Sequence, residues 1–404
     1  MGPLSSPHRF LVLVLAGLGL NAGLDAYELQ ELSINGFVSQ GYLHSTGNNY
    51  FGDTRDGSFE FNEIGLALQA ELTDDLRVGL QLFSHDLGEL GNNEVVIDWA
   101  YADYRHADSL GLRLGRAKIP LGLYNESRDI DIARPQIFLP EAVYLNRWRD
   151  SITAYDGAQA YGHVMLDAAG ELAYQAYLGT LALEPDGAVA LTMEEEMGLL
   201  PERLEVEAVY GLALAWSPPM GGLRLSTTWM RIATLDATGA APDGARFAYT
   251  VDDLDAVFFG AEYTWGPWTF AAEYMRWGFD AVLDLHSPLG TARHYEAIDR
   301  AGWYVSAAYE CCDQLTLFAV YDELYRDIHD RDGNEVDPAR GWEGHQMYHK
   351  EVYAGVRYDI NDHWVVKGEV HAVHGSAVVY ELENDRQTPD EDWYFFALKT
   401  TVVF

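Results

Sequence analysis

The sequence predicts a sixteen-stranded antiparallel transmembrane β-barrel, all-β with short turns at one end and long loops at the other, and three observations predict it. The first is the C-terminus, where Tyr394, Phe396, Leu398, Thr400, Val402 and Phe404 alternate with Lys399 and Thr401. A strand that runs to a terminal aromatic residue suits a closed wall, because the last strand of a barrel pairs with the first. Period-two alternation along the whole chain is the second, seen in Leu76-Val78-Leu80-Leu82, Trp268-Phe270-Ala272-Tyr274 and Val352-Ala354-Val356-Tyr358. The third is a regular change of connection length. Short polar turns fall at 73–75, 106–108, 167–170, 218–221, 266–267, 312–314 and 361–362. Long segments fall near 44–58, 85–93, 118–150, 181–203, 234–253, 280–300, 326–349 and 376–391. Seven turns and eight loops join sixteen strands. Short periplasmic turns opposite long extracellular loops are the mark of an outer-membrane wall, with both termini periplasmic.

The N-terminus predicts export. His8 and Arg9 precede an apolar run from Leu11 to Leu20, and small residues follow at Ala22, Gly23 and Ala26. This is a secretory signal over residues 1–26, with cleavage after Ala26 or, alternatively, Ala22. The run is too short to span a bilayer as a helix. Residues 27–404 then form the barrel. High Tyr and Trp content at modest hydropathy fits strands that meet lipid only at every second residue. Trp216, Trp265, Trp268, Trp303, Trp364 and Trp393 fall at predicted strand ends, where an interfacial girdle would lie.

Charge excludes some partners. Lys and Arg number 26 against 63 Asp and Glu, a formal charge of −37. Bulk attraction to nucleic acid is therefore excluded. An acidic surface instead suits divalent cations, which in an outer membrane also bridge lipopolysaccharide phosphates. The adjacent Cys311 and Cys312 have no metal-ligand spacing and sit in a tight turn. No cofactor is expected.

Against this acidic background residues 113–150 form a basic island. Arg113, Arg116, Lys118, Arg128, Arg134, Arg147 and Arg149 outnumber Glu126, Asp129, Asp131, Glu141 and Asp150. The same segment carries Ile119, Leu121, Leu123, Ile137, Phe138 and Leu139. A long loop with that much apolar surface belongs inside the barrel, where it narrows the lumen. Its charged residues then border a constriction, or brace the loop through Arg–carboxylate pairs, or do both. The wall facing the lumen is expected to carry Arg77, Asp98, Arg113, Glu205, Glu207, Arg224, Glu262, Glu273, Glu310, Asp322, Arg357, Lys367, Glu369 and Lys399.

The stretch Gly115-Arg-Ala-Lys-Ile-Pro-Leu-Gly-Leu123, followed by Phe138-Leu-Pro140 and Arg149-Asp150, resembles the constriction-loop segment of the phosphate-selective porin O/P family. The resemblance covers the mature chain in architecture and about 35 residues in motif. It implies a homotrimeric channel in which Arg and Lys of the third loop draw anions such as phosphate through a constriction. Arg116 and Lys118 fall on the matching Gly-Arg-x-Lys-x-Pro segment. The carboxylates on the predicted wall depart from that pattern and suit cations or neutral solutes equally. The reading is a passive outer-membrane diffusion channel for small polar or charged solutes, selected by Arg116, Lys118, Arg128, Arg134, Arg147 and Arg149 against Glu126, Asp129 and Asp131. The alternative is a plugged barrel whose acidic loops bind partners or cations.

Other motifs are weak. Asp330, Asp332, Glu335 and Asp337 resemble part of a calcium loop, but Gly341 stands where the terminal Glu belongs. His345, His349, His363, His371 and His374 show no ligand spacing. No Gly-x-Ser-x-Gly elbow is present, so an enzyme is not expected.

Overall fold

The computed structural model describes residues 31–88, 90–242, 244–288, 290–336, 341–384 and 388–404. The predicted signal segment 1–26 and Asp337 lie outside the described residues. In chain order the strands are β1 Glu31–Thr46, β2 Phe61–Thr73, β3 Leu76–Leu87, β4 Val95–Ala107, β5 Leu110–Lys118, β6 Ala154–Met165 and β7 Glu171–Thr180. Then come β8 Leu200–Val206, β9 Val209–Ser217, β10 Leu223–Ile232, β11 Leu235–Ala240, β12 Arg246–Trp265 and β13 Trp268–Ser287. The last five are β14 Gly290–Cys312, β15 Leu315–Tyr325, β16 Tyr348–Asn361, β17 Trp364–His374 and β18 Asp392–Val403. All pair antiparallel with their neighbours, and β1 closes on β18 in the register Phe37↔Val403. Gly36 and Phe404 exchange backbone hydrogen bonds of 3.0 Å across that seam. The segments β8/β9 and β10/β11 are each one wall strand interrupted for two residues, so the eighteen segments make a closed barrel of sixteen strands. Among the described residues no helix is long and apolar enough to cross a membrane.

The seven short turns fall where the alternation predicts them, and Leu76, Val78 and Leu80 face away from the lumen side held by Arg77. Two predicted long loops are corrected. Residues 234–253 and 280–300 are mostly strand: β12, β13 and β14 run 20, 20 and 23 residues. At about 3.3 Å per residue such strands span roughly 65 Å, well beyond a hydrocarbon layer of about 30 Å. They continue the barrel wall outward as a collar.

A belt of irregularities separates wall from collar. The breaks at 207–208 and 233–234 and the register shift between Asp252 and Asp255 lie on adjacent strands. An extra residue in a ladder turns the following side chains to the other face. Below the break Val209 is buried inside and Leu212 is 40% exposed outside; above it Leu204 is buried inside. This corrects the predicted lumen position of Glu205, which sits on the outer face paired with Arg203. Glu207 lies in the break itself and is exposed.

The interior of the upper half is apolar. Tyr50 and Phe51 from the first loop, Phe138 from the third, and Val378 and Val379 from the last join Phe61 and Phe395 of the wall. Phe138 packs against Phe51, Phe61 and Phe395 at ring distances of 5.4, 5.2 and 5.8 Å. A helix at Ala188–Met197 fills the collar, with Ala190 and Met193 buried near Tyr249 and Val251. Burial of such surface stabilises by about 25 cal/mol per Å². The charged residues expected along the lumen wall predict a wetter interior than this. Trp216, Trp265, Trp268 and Trp364 are exposed at the turn end, but Trp393 is buried and donates to the Gly375 carbonyl, so it leaves the girdle.

Candidate functional site

The third loop, 119–153, enters the barrel between β5 and β6 and packs on the wall from β10 round to β2. Its first turn is fixed by Thr228, whose hydroxyl donates to the Pro120 carbonyl at 3.1 Å. At Gly122, φ is +59°, and a Cβ there would meet the Glu273 carboxylate at 2.5 Å. Glycine therefore lets the chain turn against the wall. Glu273 accepts from the Leu123 amide at 2.7 Å, from the Tyr144 hydroxyl at 2.5 Å and from Tyr304 at 2.7 Å. Tyr124 donates to Glu262 at 2.5 Å, and Glu262 stands directly opposite Arg224 in the ladder.

A charge lattice fixes the loop's first half. Lys118 bridges Asp98, at 2.5 Å, and Asp129. Asp129 also pairs with Arg149, whose guanidinium lies 4.1 Å from the Phe83 ring centre. Asp131 meets Lys367 at 3.0 Å and Lys399 at 3.3 Å, and accepts from Thr401 at 2.7 Å. Lys399 reaches Glu63 at 2.5 Å. Burial opposes ionisation of Asp129 and Asp131, but Arg149 and Lys118 for the first, and Lys399 and Lys367 for the second, hold both well below the usual carboxylate range.

The remaining loop cations are also engaged. Arg128 is buried and donates to the Asn125 and Asn146 side chains and the Tyr144 carbonyl. Arg134 donates to the carbonyls of Arg128 and, at 3.0 Å, Ile137. Arg147 pairs with Glu383 at 3.3 Å. From the wall, Arg357 donates to the Ile132 carbonyl at 2.6 Å and to Asp359. Glu126 accepts from Gln175 at 2.8 Å and keeps exposure.

Arg116 is a correction. It pairs with Asp156 at 3.1 Å on the outer side of β5 and β6, with Leu112 and Leu114, while Arg113 on the same strand faces inward. Parity on β5 decides this, since residues one apart point to opposite faces. Inside, Arg77 and Arg113 converge on Asp103 at 2.6 and 3.5 Å, and Tyr161 donates to it at 2.5 Å. This group, with Gln159 and Gln175, lines the side that the loop leaves free. Below the loop a cavity of about 600 Å³ is lined by Arg134, Arg357, Glu262, Glu310 and Asp359.

The acidic run in the seventh loop is a turn: Asp330 accepts from the amides of Asn334 and Glu335 at 2.8 and 2.9 Å. Among the described residues, Asp332 and Glu335 join no group with metal-ligand geometry. Sequence reasoning missed a buried cluster instead, formed by Asp322, His349, Glu351 and His371. The signal available was His349-x-Glu351 at strand spacing, which places both on one face.

A model of the Gram-negative porin family matches residues 11–378. No functionally curated protein matches the chain. Among solved structures, the OmpF porin of Salmonella typhi in complex with daunomycin is similar at 13% identity and a TM-score of 0.57, covering 92% of this chain and 97% of that one. The outer membrane channel DcaP of Acinetobacter baumannii gives 11%, 0.56, 93% and 97%. The anion-selective porin of Comamonas acidovorans gives 11%, 0.55, 93% and 99%. A trimer form of the outer membrane protein OmpT of Vibrio cholerae gives 13%, 0.56, 93% and 99%. At these identities the likeness is one of fold.

Proposed function

We propose a permeation role from a plain premise: the chain belongs to the Gram-negative porin family and is an outer-membrane channel protein. In this reading small polar or charged solutes pass along the β3–β7 side of the third loop, between Glu126 and the Arg77–Asp103–Arg113 group. The observation that carries it is where the charges are spent. Lys118, Arg147 and Arg149 are buried and paired with carboxylates and Arg128 is buried among amide and carbonyl oxygens, so they brace the loop, whereas Arg77 and Glu126 keep exposure on a polar inner face. Opposed charges across a narrow water path orient passing solutes and bias ion traffic. Arg77 and Arg113 stand against Asp103 and Glu126, two cations and two carboxylates, so small anions, phosphate among them, pass beside cations and neutral solutes. The protein assembles as a homotrimer, as one form of OmpT of Vibrio cholerae does.

Planar-bilayer recording in a salt gradient tests the reading. Arg77→Ala with Arg113→Ala should shift the reversal potential toward cations at nearly unchanged conductance. Arg128→Ala should instead increase gating noise while leaving the reversal potential in place. The reading fails if the double variant keeps the wild-type reversal potential. A second reading, a barrel closed by its loops, is favoured by the apolar packing of Phe51, Phe61, Phe138 and Phe395 across the upper lumen. Absence of conductance in wild-type trimers would select it.

A further inference from the structure

We propose that Asp322, His349 and Glu351 form a site for a divalent transition-metal cation of the zinc type, which locks the tip of the third loop to the barrel wall. The three residues come from facing strands. Asp322 of β15 stands opposite Glu351 of β16 in the ladder, and His349 is two residues from Glu351 on the same face. One ligand atom from each lies within 4.8 Å of the others. His349 Nε2 is 3.5 Å from Asp322 Oδ1 and 3.6 Å from Glu351 Oε2.

Those separations are long for hydrogen bonds but suit atoms sharing an ion. Bonds of about 2.1 Å in tetrahedral geometry put ligand atoms roughly 3.4 Å apart. Burial supplies the second argument. Asp322 and His349 are 0% and 1% exposed, and both Asp322 oxygens and both His349 ring nitrogens lack a hydrogen-bond partner. Orphaned buried polar groups are costly, and a cation satisfies them together. Charge adds a third. Glu141, Asp322, Glu351 and Glu369 gather around two imidazoles, His349 and His371, all buried. Imidazole nitrogen with carboxylate oxygen favours zinc or a neighbouring first-row metal over calcium, which takes oxygen ligands.

Support around the ligands reaches the loop. Glu351 Oε1 is 2.7 Å from His371 Nδ1, and His371 Nε2 is 3.2 Å from Glu369. Glu369 in turn accepts from the Ile137 amide at 2.6 Å, and Tyr353 donates to the Phe138 carbonyl at 3.2 Å. Beside the cluster, a Cβ built on Gly302 would fall 1.9 Å from the Ala142 carbonyl oxygen, so the loop tip touches bare wall backbone. Occupancy of the site and seating of residues 137–142 are thereby linked. Three protein ligands leave the fourth position to water. Because the site is sealed, the cation enters during folding.

The test is refolding of the whole chain in detergent, with either ZnCl2 or EDTA, followed by desalting and metal analysis. Wild type should retain about one zinc per chain, and Co2+ in its place should give visible ligand-field bands. Asp322→Asn and His349→Gln should each weaken zinc binding at least about 100-fold, and His371→Gln, which acts through Glu351, about 10-fold. Hydrogen exchange at Ile137 and Phe138 should be slower in the zinc-refolded protein. Asp330→Asn with Asp332→Asn and Glu335→Gln should leave zinc content unchanged. Barrel formation is checked for every variant by circular dichroism. If His349→Gln does not fold, His371→Gln and Co2+ spectra decide. Zinc-free wild type after refolding overturns the site in favour of a protonated His349 clamped by two carboxylates. Loss of zinc only in the Asp330 variant overturns it in favour of a surface site.

Discussion

The base and the tip of the third loop are both buried against charged wall residues, and they solve that problem in opposite ways. At the base two buried carboxylates each have two cations at contact distance: Asp129 has Lys118 and Arg149, and Asp131 has Lys367 and Lys399. At the tip Asp322 and Glu351 crowd the one imidazole of His349, Glu351 also meets His371 at 2.7 Å, and the Asp322 oxygens have no hydrogen-bond donor. The difference teaches that a basic loop in an acidic barrel is not automatically a selectivity filter. Its cations are consumed where they neutralise buried carboxylates, and excess acid elsewhere calls for a cation from outside.

The sharpest way to break this comparison is to remove one carboxylate from each end. Asp131→Asn leaves Lys367 and Lys399 buried with their shared partner gone and should cost about 3–5 kcal/mol in urea unfolding. Asp322→Asn in metal-free protein should be neutral or stabilising, because it removes one of the two carboxylates that crowd His349 and leaves it Glu351. Equal large losses in both would erase the distinction. Tyr144→Phe comes next. It takes a donor from Glu273 and an acceptor from the amides of Leu123 and Tyr124, so it should cost about 1–3 kcal/mol.

Acidity separates the two ends further. Asp129 and Asp131 have lowered folded pKa values, so their contribution is present above about pH 4 and lost as pH falls below it. Glu141 behaves in the reverse sense. Burial, against hydrogen bonds from Asn146, pushes its carboxyl up to about 7, so its contribution is full below about pH 4.5 and lost as pH rises through 7. Hydrogen exchange of residues 137–146 should therefore be slowest near pH 5, and Glu141→Gln should flatten only the neutral limb. A flat profile in wild type breaks that assignment. The smallest effect belongs to the exposed seventh loop. Asp330→Asn loosens a turn closed by two amides and should change stability by about 1 kcal/mol or less, measured by thermal unfolding with and without chelator.

Much of the wall was legible because alternation and turn chemistry are local. All seven short turns could be placed from residues such as Thr73-Asp74-Asp75 and Asn361-Asp362, and the seam residue Phe404 from its own strand. The collar was not legible, since a strand leaving the membrane and a polar loop share the same composition at 234–253. Glu205 and Arg116 were misplaced for different reasons. Glu205 lies beside the 207–208 break, where one residue of slip reverses a face, whereas Arg116 follows the unbroken parity of β5, three residues from the inward Arg113. Trp393 was misread because aromatic content does not say which face is covered.

By itself the sequence determined the barrel, its strand number, and that residues 118–150 turn inward, because these rest on short-range periodicity and on apolar surface that water excludes. Tertiary structure decided what the charges do. Asp131 meets Lys367 and Lys399 across more than 230 positions, and Asp322 meets His349 only through strand register. Pairing energies depend on separation and burial, which no composition records. Whether a cation braces, conducts or is missing therefore emerges only once the wall has closed.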